Sequence, residues 1–207
     1  MAKALASDLA YGYVDTGAMY RAVTLFLIRH KIAVSDIAAV KMALGDIKIH
    51  FERLAGKNTT FLNDENVEEE IRKMYVSDLV SPVAAISEVR RKLVQQQQEM
   101  GKQKAIILDG RDIGTVVFPE AELKIFLTAS PTERANRRYQ ELLSKGQNVS
   151  YDDILKNLEE RDRIDSSRVD SPLKQAEDAV LLDNTNLNQA EQLAMALALA
   201  KCRIAKT

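Results

Sequence analysis

Ala105-Ile106-Ile107-Leu108-Asp109-Gly110-Arg111-Asp112-Ile113-Gly114-Thr115 decides the fold. A continuous apolar run of this length suits a strand buried on both faces. It breaks into a polar, glycine-bearing turn, which places that turn at the carboxyl edge of a sheet. Open α/β sheets bind their ligands at that edge. Glycine lets the backbone approach a ligand closely and adopt unusual turn angles. Arg111 offers a planar fork suited to a phosphate, and Asp112 can accept from an amino group. An ordinary polar turn in which Arg111 and Asp112 pair with each other fits the spacing equally well.

Three further segments repeat the pattern of apolar residues closed by a polar one: Tyr11–Asp15, Leu123–Thr128 and Ala179–Asp183. Helical signals lie between them. Val89, Leu93 and Met100 mark one side of a helix over Ser87 to Met100, which meets a stop at Gly101. Ser130-Pro131-Thr132-Glu133 combines a capping serine, a proline at the first helical position and a glutamate three residues after the cap. Asn188-Gln189-Ala190-Glu191 opens a final Leu- and Ala-rich helix in the same way. Strand and helix in alternation predict an α/β fold: a parallel sheet covered by helices on both faces.

Two stretches break the rhythm. Ile47, Ile49 and Phe51 alternate, and after Gly56-Lys57-Asn58 the alternation resumes at Thr60 and Leu62. That predicts an antiparallel hairpin, a small insertion over residues 45–67. Residues 144–170 are highly charged, with Gly146 near the start, and read as a solvated helical hairpin or a mobile lid. Gln95–Gln98 reads as the exposed part of its helix.

The bulk properties narrow the function. A chain of 207 residues with 46% hydrophobic and 29% charged residues is ordinary for a globular protein. The net charge of −1 suggests no nucleic-acid polymer or membrane as general partner, so an anion site must be a local group of arginines. No apolar run approaches the ~20 residues of a membrane-spanning helix. The single cysteine, Cys202, excludes an internal disulfide and fits a reducing cytoplasm. His30 and His50 lack neighbours at metal-ligand spacing, and His30 fits the C-terminal end of a helix instead. No G-x-S-x-G nucleophile elbow occurs.

Asp15-Thr16-Gly17-Ala18-Met19-Tyr20-Arg21 also closes a strand and opens a helix. Thr16 can cap that helix, whose free N–H groups attract anions, and Arg21 lies near enough to reach the same anion. A plain capped helix with Arg21 in solvent is the competing reading. Arg161, Asp165 and Arg168 share one face if helical. These residues, like Arg134, Arg137 and Arg138, also fit a merely solvated surface.

Together these pieces resemble the cytidylate kinase family of nucleoside monophosphate kinases. The resemblance runs in order along the chain. It takes in the Asp15–Arg21 motif, Ser81-Pro82-Val83-Ala84-Ala85 with Arg90, Leu108–Pro119 (LDGRDIGTVVFP) and Lys124–Ser130. Glu133–Arg138 and the run from Glu160 to Arg168 complete it. The resemblance implies that Thr16, Tyr20, Arg21 and Arg111 surround the phosphate of CMP, with Arg168 nearby. Ser81, Arg90 and Asp112 would read the cytosine ring, and Arg161 and Asp165 would hold the ribose hydroxyls. It further implies transfer of the ATP γ-phosphoryl group to CMP or dCMP, with Mg²⁺. The catalytic charge would come from Arg21, Arg111, Arg137, Arg138 and Arg161, and Asp109 would hold the metal through water.

The domains implied are a discontinuous core of residues 1–44 and 68–207, a lid over 144–168 within it, and a nucleotide-binding insertion over 45–67. A cytoplasmic monomer is expected. A UMP or AMP kinase and a catalytically silent CMP-binding protein are the competing functions. The family's ATP-binding loop ends in Gly-Lys-Ser/Thr. Gly12 and Gly17 have the right spacing, but Ala18 and Met19 follow them. Met1–Ala6 resembles the helix after that loop, so the loop and the first strand are expected upstream of Met1, and no ATP-binding residue is assigned.

Overall fold

The structure is a computed structural model and describes residues 1–54 and 57–205. Helix α1 (Ala2–Asp8) leads into β1 (Gly12–Asp15) and the long helix α2 (Thr16–Arg29). Helix α3 (Ile37–Ala43) and a 3-10 turn precede three antiparallel strands: β2 (Ile49–Leu54), β3 (Lys57–Leu62) and β4 (Glu65–Asn66). A 3-10 turn at Glu70–Arg72 opens onto α4 (Met74–Ala84) and α5 (Ser87–Gly101). Strand β5 (Ile106–Asp109) runs into a π-helical turn at Ile113–Val117. The chain closes with β6 (Ile125–Thr128), α6 (Pro131–Ser144), α7 (Tyr151–Ser167), β7 (Val180–Asp183) and α8 (Gln189–Ile204).

All four segments with the apolar-to-polar signature are strands, and they pair in parallel. β1 lies beside β5 with Asp15 opposite Asp109, and β6 lies beside β7 with Thr128 opposite Asp183. Among the described residues no further strand pairs with β5 or β6. The register matters for function: it brings the two polar strand ends Asp15 and Asp109 side by side at one carboxyl edge.

Helix α2 is apolar around most of its circumference, which marks a buried helix rather than a surface one. It is enclosed by Val76, Val80 and Val83 of α4, Val89 and Leu93 of α5, and Ile49 and Leu62 of the antiparallel sheet. Leu5 of α1 meets Ala196 and Ala200 of α8 in a second core, against Ile107 of β5 and Ile125 of β6. That layer spans both strand pairs. Ala135, Leu142 and Ile154 give the α6–α7 hairpin a small core of its own.

The helix starts follow the chemistry expected of them. The Ser130 hydroxyl accepts from the Glu133 N–H, and Asn188 and Glu191 form a reciprocal capping box. Helix α6 ends where Gly146 takes φ +72°, with the Gly146 and Gln147 N–H groups donating to Leu143 O and Leu142 O. A side chain at that left-handed position would be strained.

The glutamine run departs from expectation in part: Gln95 and Gln98 are exposed as expected, but Gln97 is buried. Gln97 is only 1% exposed, Gln96 Nε2 donates to Ile49 O at 2.5 Å, and Gln98 Nε2 donates to Val117 O at 3.2 Å. Helix α5 lies between the antiparallel sheet and the π-helical turn, so the Gln96 and Gln98 amides serve as ties between elements, while the Gln97 amide nitrogen is buried without a partner. The hairpin of residues 45–67 is present with a short third strand. Its turn at Gly56-Lys57-Asn58 falls partly on Gly56, outside the described residues.

Candidate active site

The site starts where β1 and β5 end. Asp15, with extended backbone at φ −82° and ψ 92°, is the N-cap of α2, and its carboxylate accepts from the Ala18 N–H at 2.9 Å. Thr16 is therefore not the cap: it is already helical, and its hydroxyl donates to Asp109 O at 2.6 Å. Gly110 permits this closure, because a Cβ there would stand 2.4 Å from Thr16 Oγ1. The start of α2 and the turn after β5 are thereby fastened together.

Around this edge the arginines collect. Arg21, from the second turn of α2, donates through Nη1 to Ser77 Oγ at 2.7 Å and to Ile71 O at 3.3 Å, both neutral acceptors. Burial, then the charges of Arg72, Arg138 and Arg111, pull its pKa down to about 10, with Asp15 opposing. Arg161 is likewise lowered to about 10, by burial and then by Arg111 and Arg21. A guanidinium loses affinity for its proton only where positive charge is crowded and poorly hydrated. Asp165, 3% exposed, is shared by three guanidiniums: Arg111 at 3.0 Å, Arg168 at 3.5 Å and Arg161 at 4.0 Å. One carboxylate facing three cations leaves a surplus that an anionic ligand would neutralise.

Beside the cluster lies a drier constellation. Arg90 and Asp112 form an ion pair with side chains only 4% and 6% exposed, and Arg90 Nη1 donates to Ala84 O at 3.1 Å. The polar turn thus resolves in favour of separate partners: Asp112 takes Arg90, and Arg111 takes Asp165. The Arg90 guanidinium stands 5.7 Å from the centroid of the Tyr20 ring, in cation–π range. The Tyr20 hydroxyl is buried without a partner, and burial is the main cause of its pKa rising to about 12. Ser81 is buried one helical turn before Ala84 on α4. The structure therefore brings Tyr20 to the Arg90–Asp112 pair, with Arg168 close enough to act on it electrostatically.

The arginines of α6 divide. Arg138 pairs with Glu141 at 2.8 Å, and its charge is felt by Arg21. The Arg137 guanidinium is occupied elsewhere, by Glu133 on its own helix and by Asn184, Thr185 and Leu187 after β7. Arg134 joins Asp162 through two hydrogen bonds of 3.1 and 2.6 Å, strapping α6 to α7. Arg72, which bonds Asp15 at 3.0 Å and Glu68 at 2.6 Å, had no distinguishing mark within its charged stretch. Ser77 carried no signal at all. Their places beside Asp15 and Arg21 arise only from the tertiary fold.

Asp109 sits next to Asp15 and accepts from the Tyr13 hydroxyl at 3.1 Å. Although Asp109 is exposed at the strand end, partial desolvation, and then the neighbouring Asp15 charge, push its pKa up to about 6. Two adjacent hard-oxygen donors suit a hydrated Mg²⁺, which would relieve their mutual repulsion. No group of three or more potential ligands forms a preassembled metal cluster among the described residues. His30 stands at the C-cap of α2 with Nδ1 2.8 Å from Phe26 O, as expected for a helix end. No described helix is long and apolar enough to cross a membrane.

The family model described as cytidylate kinase matches residues 1–202. A cytidylate kinase of Phocaeicola vulgatus is 59% identical over 198 residues, which cover 93% of this chain and 86% of that protein. One from Flavobacterium johnsoniae is 56% identical, covering 96% and 89%, and one from Parabacteroides distasonis is 54% identical, covering 95% and 88%. With a family match along nearly its whole length and relatives above half identity, this chain belongs to the cytidylate kinase family.

Proposed function

We propose that this protein transfers the γ-phosphoryl group of ATP to CMP, and to dCMP, giving the diphosphate and ADP. The observation that carries the reading is the concentration of Arg111, Arg161 and Arg168 around the single carboxylate of Asp165, with the Arg21 charge felt by Arg161, next to the buried Arg90–Asp112 pair. A surplus of cation beside a dry donor–acceptor pair suits a phosphate joined to a base.

A phosphate oxygen of CMP attacks the γ-phosphorus, and the bond from that phosphorus to the β–γ bridging oxygen breaks, its electron pair leaving with ADP. The nucleophile is already an anion, so no strong general base is needed. Rate comes from positioning and from charge neutralisation. Arg21, Arg111 and Arg168 hold the acceptor phosphate beside Thr16. Arg161 and Arg138 bring positive charge from the α6–α7 hairpin. Asp112 accepts from the cytosine amino group while Arg90 donates to N3 and O2, with Ser81 and Tyr20 closing the pocket. Asp165 and Arg161 take the ribose hydroxyls. Asp109, beside Asp15, would hold Mg²⁺ through water, and the ion would supply charge neutralisation on the donor phosphates. The donor's phosphates are assigned no residue of this chain.

This reading keeps the domain division of a core over 1–44 and 68–207, a lid over 144–168 and an insertion over 45–67. It places a monomer in the cytoplasm, which the exposed free thiol of Cys202 suits. CMP-dependent release of ADP from Mg-ATP tests it, with CMP, UMP and AMP compared at equal concentration. Turnover favouring CMP by at least about tenfold is expected. Equal use of all three, or CMP binding without turnover, overturns it.

A further inference from the structure

We infer that Ser77 is a positioning residue for the acceptor phosphate, acting through Arg21; the inference rests on the proposed phosphate role of that arginine. Arg21 leaves α2 and reaches across to α4, where the Ser77 hydroxyl accepts from its Nη1 at 2.7 Å and Ile71 O accepts from the same nitrogen at 3.3 Å. The Ser77 hydroxyl donates its own proton to Lys73 O at 3.1 Å. That fixes the hydroxyl's orientation and turns a lone pair toward Arg21. The neighbouring Asp78 accepts from Asn157 of α7 at 3.4 Å, so the same turn of α4 also touches the lid hairpin.

The choice of a neutral acceptor is the informative feature. Arg111, Arg161 and Arg168 all lean on the Asp165 carboxylate, which a ligand must share or displace. Arg21 is aimed without being neutralised. Ser77 fixes one nitrogen while the rest of the planar fork keeps its full charge for an anion, in a place where burial and neighbouring arginines already destabilise that charge. A carboxylate at position 77 would also hold Arg21, but would quench it.

The test is calorimetric binding of CMP and of cytidine, the same ligand without its phosphate, to the full chain and to three variants. Ser77→Ala weakens CMP binding about tenfold, the scale of one hydrogen bond to a charged group, and leaves cytidine unchanged. Ser77→Thr, which keeps the hydroxyl, restores CMP affinity to within about twofold of the parent. Ser77→Asp weakens CMP at least as much as the alanine variant. A merely structural role would weaken CMP and cytidine alike, so equal losses overturn the inference. CMP affinity unchanged in Ser77→Ala overturns it as well. Failure of the parent chain to bind CMP overturns the reading of the whole site and the Ser77 role with it.

Discussion

Arg90 and Asp112 form an ion pair that is almost completely removed from water, joining the first turn of α5 to the turn after β5. Such a pair adds little net stability when intact, because desolvation offsets attraction, but removing one partner strands the other charge in a dry site. Asp112→Ala is therefore expected to lose about 3–5 kcal/mol of unfolding free energy, measured by urea denaturation. The double variant Arg90→Met/Asp112→Leu recovers most of that loss. On the proposed base-reading role, neither variant keeps a preference for CMP over UMP, since the Asp112 carboxylate is absent from both. Selectivity retained in the double variant would remove both residues from base recognition.

Arg21 carries the opposite balance. It is a crowded cation with neutral hydrogen-bond partners, and its depressed pKa records that the fold holds it at a cost. Arg21→Met keeps the length and apolar stem of the side chain while deleting the charge. Its midpoint of thermal unfolding is expected to stay level or rise, while CMP affinity falls at least about 100-fold. Sites that trade stability for function behave in this way. A fall in both quantities would mark Arg21 as a structural residue.

The α6–α7 hairpin has a core separate from the rest of the molecule, built on Ala135, Leu142 and Ile154 and strapped by Arg134–Asp162. Leu142→Ala removes buried methyl groups from that core, a change that costs about 2–5 kcal/mol where the site cannot collapse. Because the cluster is local, the loss should fall on the hairpin alone. Amide hydrogen exchange in residues 131–167 is expected to accelerate strongly, while the amides of α2 exchange as before. Uniform acceleration across the chain would show that the hairpin does not open independently.

How much of this was legible beforehand follows from the range of each interaction. The four parallel strands could be read because each carries its own apolar run and terminal polar residue, and Ser130 and Asn188 announced their helices by local capping chemistry. The shared face of Arg161, Asp165 and Arg168 followed from helical spacing, and the structure sets Arg161 and Arg168 against the Asp165 carboxylate. Thr16 was misjudged as a cap because its hydroxyl finds a partner in Asp109, far away in sequence. Gln97 looked exposed because composition cannot show that α5 is covered on two sides. Ser77, Arg72 and the Arg134–Asp162 strap were out of reach for the same reason: their partners lie 28 to 57 residues away.

Acid should loosen the three-stranded antiparallel sheet before it unfolds the core. Arg29 at the end of α2 holds Glu65 of β4 through two hydrogen bonds, of 2.6 and 2.9 Å, and Glu70 of the following 3-10 turn at 2.5 Å. The Arg29 hydrogen bond holds the Glu65 carboxyl below its ordinary value, 4.5. Glu70 is held below the same value first by the Tyr75 hydroxyl and then by Arg29. A folded pKa below the unfolded one means that the unfolded chain binds protons more readily, so stability rises with pH in that window. The contribution is present in full above pH 4.5 and is lost as pH falls through the lower folded values. Both pairs are partly exposed, so each is worth less than about 1 kcal/mol and is weakened by salt. Arg29→Met is expected to flatten the dependence of that sheet's stability on pH below 4.5, read from amide exchange in residues 49–66 at low ionic strength. At pH 7 the variant exchanges faster than the parent over that segment, and at pH 3 the two converge. A slope below pH 4.5 that survives in Arg29→Met would place the acid sensitivity in other carboxylates.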